Sequence, residues 1–180
     1  QEEHFGDFWA DQVPQLQAQG WTPQREVAIP ALIRSALDQQ PSLAGHPAVA
    51  ALQSLAGLHI GQVGKGRECA SSDIEFDWRE AHFTSEDADD ALLCWEQRLN
   101  TRLIPLAEVH HGHGQLLMAG DGRCFGWSFV GMCFEGENLQ QALEHLLLGI
   151  RSRPMLEPGQ PSTQLYGRRY KAGAPEVYPY

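Results

Sequence analysis

Three histidines stand close together in the sequence VHHGHGQLLMAGDGR (residues 109–123). His110, His111 and His113 are of a type that binds transition metals or transfers protons near neutral pH. Adjacent residues of a strand point to opposite faces, so only His111 and His113 would share one face. Zinc takes three or four ligands, and this spacing supplies two. A glycine-rich turn between two strands explains the segment without a metal, and we predict no metal and no other cofactor.

The known catalytic motifs do not accompany these histidines. The sequence has no Gly-x-Ser-x-Gly, no His-Glu-x-x-His, no phosphate-binding loop, no dinucleotide fingerprint and no deaminase signature. Cys69, Cys94, Cys124 and Cys133 form no Cys-x-x-Cys pair, which is typical of reduced and mostly buried thiols in a cytoplasmic protein. We therefore predict that the protein is not an enzyme. A small metalloenzyme that uses the histidines is an alternative, which bound zinc or iron would support.

The densest charge lies in DIEFDWREAHFTSEDADD (73–90), where eight acids accompany one arginine. Phe76, Trp78 and Phe83 lie among the acids, and an interface needs both aromatic anchors and a charge that steers its partner. A solvated acidic surface is the alternative interpretation. The candidate binding residues are Asp73, Glu75, Asp77, Trp78, Glu80, Glu86, Asp87, Asp89 and Asp90.

The overall charge indicates the kind of partner. The formal net charge is −10, and residues 1–150 hold 21 acids and 8 basic residues, whereas residues 151–180 hold 2 and 5. Phosphate contacts need clustered lysine and arginine, so binding to nucleic acid or to an anionic membrane is disfavoured. No apolar run reaches the roughly 18 residues of a membrane span. We expect a soluble protein whose partner has a basic surface.

Helices and strands that would position these residues follow from the apolar pattern. Prolines at 30 and 47 begin two predicted helices, 30–40 and 47–57, after an N-terminal helix that ends at Gly20. LHI (58–60) and IEFDW (74–78) read as strands separated by a glycine loop, and the acids of the second strand should face water. Thr84 or Ser85 is predicted to cap the next helix.

From Arg102 the pattern changes to a meander of four strands that ends near Glu135. Asn138 and Gln141 resemble a capping box, and Gly149 should end the helix that follows. We therefore predict an α+β fold: N-terminal helices, a mostly antiparallel sheet and a C-terminal helix in one domain over residues 1–150. The Pro- and Tyr-rich residues 151–180 would be a disordered tail or an extended arm, and their tyrosines favour the arm.

The order of several short motifs resembles the SUKH superfamily, specifically its third immunity-protein subgroup. The motifs are GWTPQR (20–25), the Gly57-Leu58 pair, PLAE (105–108), DGR (121–123) and the helix ALEHLLLG (142–149). They span roughly residues 18–150, although Ala107 replaces a usual glycine, Cys124 delays the aromatic expected after the DGR turn, and residues 67–90 match no pattern. We expect Trp21 and Arg25 to fasten the N-terminal helix to the sheet.

The resemblance implies an α+β fold and a role in bacterial conflict. Such proteins are cytoplasmic immunity proteins that bind and silence a cognate toxin, commonly a nuclease or a nucleic-acid deaminase. Specificity should lie where the chain departs from the shared scaffold, so we expect residues 73–90 of a monomer to contact the toxin in a heterodimer. The tyrosine-rich tail is a second contact candidate. A scaffold or regulatory adaptor on the same fold, with no toxin partner, is the main alternative function.

Overall fold

The computed structural model describes residues 13–79, 81–84 and 89–180. Its helices are α1 (Val13–Ala18), α2 (Ala31–Gln39), α3 (Pro41–Ala44), α4 (Pro47–Leu55), α5 (Ala81–Thr84), α6 (Asp90–Leu99) and α7 (Leu139–Leu148). Its strands are β1 (His59–Lys65), β2 (Ala70–Phe76), β3 (Ile104–Val109), β4 (Gly114–Met118), β5 (Cys124–Ser128), β6 (Gly131–Gly136), β7 (Arg153–Pro154), β8 (Ser162–Leu165) and β9 (Arg168–Lys171). No helix in these ranges is long and apolar enough to cross a membrane.

Strands β1 to β7 form one antiparallel sheet in which neighbours in space are also neighbours in the chain. Strands β8 and β9 form a separate hairpin. The predicted meander is confirmed, and the fold is α+β, consistent with a single SUKH-like domain. From β3 to β6 this order follows from tight turns, because each short connection pairs a strand with the one before it. Helices α5 and α6 connect β2 to β3, and α7 connects β6 to β7.

The sheet buries a different core on each face. On the first, which we call the helix face, Ile74 and Leu116 pack with Leu52 of α4 and Leu143 of α7. On the second, which we call the tail face, Leu117, Phe125 and Phe134 pack with Trp95 of α6 and Met155 of the tail. Because strand residues alternate between faces, Leu116 and Leu117 serve opposite cores. The larger cluster on the helix face includes residues of every helix except α6.

Residues 151–180 lie against the body of the protein. Strand β7 pairs with β6, and the ring of Tyr178 stacks on Phe134 with centroids 4.1 Å apart. Tyr180 meets Trp95 edge-on at 5.1 Å, and the Tyr178 hydroxyl accepts a hydrogen bond from Arg123. Aromatic area and a strand pairing therefore hold this arm. The division of the chain at residue 150 stays a prediction.

Some local predictions are wrong. The glycine loop predicted after LHI is part of β1, which continues to Lys65 with a bulge between Gly61 and Gly64. Glycine is needed at 61, where φ is +74° and a Cβ would lie 2.5 Å from the Ser72 carbonyl oxygen. The cysteines were predicted to be mostly buried. Cys124 is buried, but Cys94 is exposed.

The termini of α7 and α4 follow the expected chemistry. Asn138 Oδ1 accepts from the Gln141 N–H at 2.9 Å, and Gly149 ends α7 in the left-handed conformation, as predicted. The prediction that Trp21 and Arg25 fasten the N-terminal helix to the sheet is wrong in its target, because both hold the end of α4. Trp21 Nε1 donates to Ser54 Oγ at 3.1 Å. Arg25 donates to the carbonyl oxygens of Ser54 and Ala56 at 2.7 and 2.6 Å.

Helix α6 is capped by Asp89, and not by Thr84 or Ser85 as its sequence suggests. The Asp89 carboxylate accepts from the Ala91 N–H at 3.0 Å. We expect Asp89→Ala to lower the free energy of unfolding by about 1 kcal/mol, the usual value of an N-cap. Urea unfolding would measure it, with Asp90→Ala as the control because Asp90 has no capping bond. Equal stability of the two variants would contradict the assignment.

Candidate partner-binding surface

A row of residues crosses the tail face where α6 and the arm do not cover it. His59, Glu75, Glu108, Gln115 and Trp127 are successive cross-strand partners from β1 to β5. Direct partners project from the same face, so these side chains lie side by side. His59 and Glu75 are exposed, and the other three are half-buried. We call this row the open sheet surface.

Two of the candidate acids lie on or beside this surface. Glu75 and Asp77 are exposed, as the alternation in IEFDW predicts. Glu108 adds a carboxylate next to Glu75, and Arg79 pairs with Glu108 at 2.9 Å. Like charges that face each other across strands repel, so this pairing reduces the cost of keeping Glu75 and Glu108 adjacent.

The remaining candidates have different surroundings. Asp89 and Asp90 are exposed at the start of α6, whereas Glu80, Glu86 and Asp87 lie outside the described residues. Trp78 is half-buried, with its ring 6.0 Å from that of Phe83. Its indole N–H has no hydrogen-bond partner in the described part of the chain. Of the candidate acids, the structure therefore brings together Glu75, which lies in β2, and Asp77, which follows the last residue of that strand.

Asp73 differs from the other candidates because its carboxylate is buried; only 6% of the residue is exposed. It contacts His59 Nε2 at 2.9 Å and His111 Nδ1 at 3.2 Å, and it accepts from the His111 N–H at 2.8 Å. Burial by itself would raise the pKa of Asp73, but the bonds from His111 and His59 outweigh burial and hold that pKa below its ordinary value. Asp73 therefore supports the fold locally rather than facing solvent.

The histidines at 110 and 111 form the turn between β3 and β4 and are not strand residues. Both have positive φ, 50° and 54°, which is rare for residues other than glycine. Strand β2 holds this turn, because Ser72 Oγ accepts from the His110 N–H at 2.8 Å and Asp73 accepts from that of His111. Within the described ranges, no three histidine, cysteine or acidic side chains are arranged to hold a metal.

A second feature was not predicted from the sequence. A cavity of about 290 Å³ opens at the end of the helix face, between the β3–β4, β5–β6 and β8–β9 turns. Glu135 of β6 lines it, and Ser152 Oγ lies 2.8 Å from both carboxylate oxygens. Burial raises the pKa of Glu135 to about 7, although the Ser152 hydrogen bond acts in the opposite direction. At the rim, Phe129 is 92% exposed.

Two signals for this cavity were present in the sequence. Glu135 is the one charged residue in CFGWSFVGMCFEG (124–136), and Phe129-Val130 occupies a turn, where polar residues are usual. Neither signal shows that Ser152 and Tyr166 close the cavity from the arm. That contact depends on the packing of residues after α7.

The architecture is an α+β fold, consistent with a single SUKH-like domain. The family model described as SUKH-3 immunity protein matches residues 11–149. The chain therefore belongs to the SUKH-3 immunity protein family. Neither the curated proteins nor the solved structures compared with the chain gave a match.

Proposed function

We propose that this immunity protein neutralises a cognate toxin that acts on nucleic acid, by binding the toxin's basic surface with its acidic open sheet surface. The observation that carries the proposal is the exposure of Glu75 and Asp77 on β2 and its end, beside Glu108. Enzymes that bind nucleic acid present lysine and arginine to phosphates. An anionic surface of matching shape would occupy or cover such a cleft.

Charge and position support this assignment. Residues 1–150 hold 21 acids against 8 basic residues, and such an imbalance attracts a cationic partner over distances beyond direct contact. Trp78 would serve as the aromatic anchor beside the acids. Asp89 and Asp90 would extend the contact with the toxin. The other predicted members of this contact are Glu80, Glu86 and Asp87. Asp73 acts by holding the histidine turn.

The proposed mechanism is occlusion and involves no catalysis. An interface of roughly 1,200 to 2,000 Å² is typical of stable complexes and would suffice to block a toxin's active site. The inhibitor would act in the cytoplasm as a monomer that forms a heterodimer with the toxin. It would bind neither nucleic acid nor membranes, because its charge repels both.

The test is a charge reversal with a matched control. We expect Glu75→Lys/Asp77→Lys to slow association with the toxin encoded beside this gene by about tenfold or more at low salt, because electrostatic steering is lost. The control, Asp38→Lys/Glu176→Lys, makes the same charge change at exposed residues outside the open sheet surface. Surface plasmon resonance measures the rates, and co-expression scores growth rescue.

The two double variants separate local contact from total charge. If both slow association equally, net charge and not the open sheet surface is responsible. If neither has an effect, the acidic-surface proposal is wrong. Binding to a cellular protein without rescue from the toxin would instead support an adaptor.

A further inference from the structure

We propose that the cavity at the end of the helix face receives a basic side chain, arginine or lysine, from the bound toxin, and that Glu135 at its floor pairs with that cation. The inference rests on the proposed function for the partner, and it names a second contact on this chain. It is carried by three observations: an incompletely paired buried carboxylate, an apolar exposed rim, and the β3–β4 turn, which lines the cavity and also contacts β2.

The carboxylate is built into the cavity. Glu135 is 7% exposed, and Gly126 on the neighbouring strand leaves the space that it occupies. A Cβ at Gly126 would lie 2.6 Å from Glu135 Oε1, so a larger residue would displace the carboxylate. The position of the carboxylate is thus set by two adjacent strands rather than by a mobile loop.

The pairing of Glu135 is incomplete. A carboxylate has about four acceptor sites, and the donor to Glu135 in the described structure is the single hydroxyl of Ser152. None of the ion pairs of the described residues includes Glu135. The groups whose pKa the Glu135 carboxylate raises are Cys69, Cys124, Cys133 and Tyr166, and none of them is a cation. A buried carboxylate in this state gains most from a cation supplied from outside.

The rim indicates that the cation belongs to a protein. Phe129 and Val130 are 92% and 42% exposed at the β5–β6 turn. A free cation would leave this apolar area in water, whereas a protein that inserts one side chain would cover it. The cavity's volume of about 290 Å³ lies just below the roughly 300–1,000 Å³ of small-molecule pockets, and it suits one side chain.

The walls match the stem of a basic side chain. Tyr166, Leu165 and Val109 line the cavity. Arginine and lysine bury their methylene stems along apolar surface while the charged end finds a polar group, and arginine also stacks on aromatic rings. His110 and His113 also line the cavity, and no lysine or arginine is among its lining residues in the described part of the chain.

The β3–β4 turn connects the cavity to the strand that carries the acidic row. His111 of this turn contacts Asp73 on β2, whereas His110 and His113 of the same turn line the cavity. The two sites lie on opposite faces of the sheet, so a partner seated on the acidic row would reach the cavity around this turn. One toxin surface could make both contacts.

The first experiment measures toxin affinity with two variants. We expect Glu135→Gln to raise the Kd at pH 8 by about 30-fold or more, the usual effect of removing one member of a buried charge pair. Phe129→Ala should raise it by about tenfold, and its exposure means that the change cannot disturb the core. Glu137→Gln, an exposed acid two residues from Glu135, is the control. An unchanged Kd for Glu135→Gln would overturn the inference and leave the proposed function intact.

The second experiment needs no toxin. Nα-acetyl-arginine methylamide is titrated into the isotope-labelled protein, and NMR follows the Tyr166 ring and the Glu135 carboxyl carbon. We expect saturable shifts at both groups, lost in Glu135→Gln and absent with the citrulline analogue, which is neutral and of nearly the same shape. Equal responses to the two probes, or none, would overturn the inference even if the neighbouring toxin failed to bind and the proposed function were wrong.

Discussion

Replacing Asp73 with alanine is expected to lower the free energy of unfolding by about 3 kcal/mol at pH 7. The change removes the acceptor of the His111 N–H and the partner of the His59 and His111 rings. It also frees a turn in which two histidines hold left-handed φ angles. A bond that is lost in a tight turn leaves both an unpaired donor and a strained backbone without support.

Two further variants make the Asp73 experiment specific. Asp73→Asn retains an acceptor for the His111 N–H but carries no charge. Its free energy of unfolding should therefore fall by less than that of Asp73→Ala. Asp77→Ala, an exposed acid four residues away, is the matched control and should change stability by less than about 0.5 kcal/mol. Urea unfolding gives the comparison. Equal losses for Asp73→Ala and Asp77→Ala would refute the role of the buried carboxylate.

Acid titration tests the same carboxylate. Its pKa in the folded protein lies below the ordinary value of 3.8, so the unfolded chain binds the proton first as the pH falls. The stability from Asp73 is therefore complete above the ordinary value and is lost as the pH falls through the folded one. We expect the free energy of unfolding of Asp73→Asn to decline less below pH 4 than that of the parent protein.

Glu135→Gln is expected to stabilise the protein at pH 8, by about 2 kcal/mol. The pKa of Glu135 is about 7 in the folded protein against an ordinary 4.5, so the folded state holds a proton that the unfolded state has released. Stability therefore falls as the pH rises from 4.5 to about 7 and then levels off, with a total change of at most about 3 kcal/mol. Glutamine at this position removes the decline in stability. Its amide N–H₂ needs a hydrogen-bond acceptor, and this need reduces the gain in the free energy of unfolding.

Measurement of this effect requires a pH series and not a single condition. Thermal or urea unfolding of the parent and of Glu135→Gln from pH 5 to pH 8.5 should give curves that diverge as the pH rises. Glu137→Gln is the control, because Glu137 is exposed and its carboxylate lies outside the cavity. Parallel curves for the parent and Glu135→Gln would show that Glu135 ionises like an ordinary surface acid.

The two predictions describe opposite uses of a buried carboxylate. Asp73 receives three nitrogen contacts and stabilises the fold, whereas Glu135 receives one hydroxyl and destabilises it when charged. Under the proposed pairing with a toxin cation, the cost of Glu135 in the free protein would be offset in the complex. Functional residues commonly reduce the stability of the free protein in this way.

Much of the scaffold follows from local patterns. Alternation and turn residues predict the strands from β3 to β6, and Asn138, Gln141 and Gly149 mark both ends of α7 within a few residues of the positions they affect. The exposure of Glu75 and Asp77 also follows from alternation, because the face of a strand residue depends only on its position. The resemblance to the SUKH-3 family rests on the order of short motifs, and the family model that matches residues 11–149 confirms it.

Glycines and caps were harder to interpret. Gly61 and Gly64 resemble a loop in sequence, yet they lie in β1 because close approach to β2 and a bulge require them. The cap of α6 is Asp89, one of several polar residues in TSEDADD (84–90) that could each begin a helix. Local propensity does not distinguish well among such candidate cap residues. Packing against the rest of the chain decides which of them begins the helix.

By itself, the sequence determined the α+β class, the meander, the ends of the last helix and the acidic character of residues 73–90. Only the tertiary structure decided that Asp73 is buried against a turn 38 residues away, and that Glu135 lines a cavity closed by Ser152, 17 residues further on. The physical reason is that burial and pKa depend on which distant groups surround a carboxylate. Alternation can assign its face, but the atoms that cover it come from other parts of the chain.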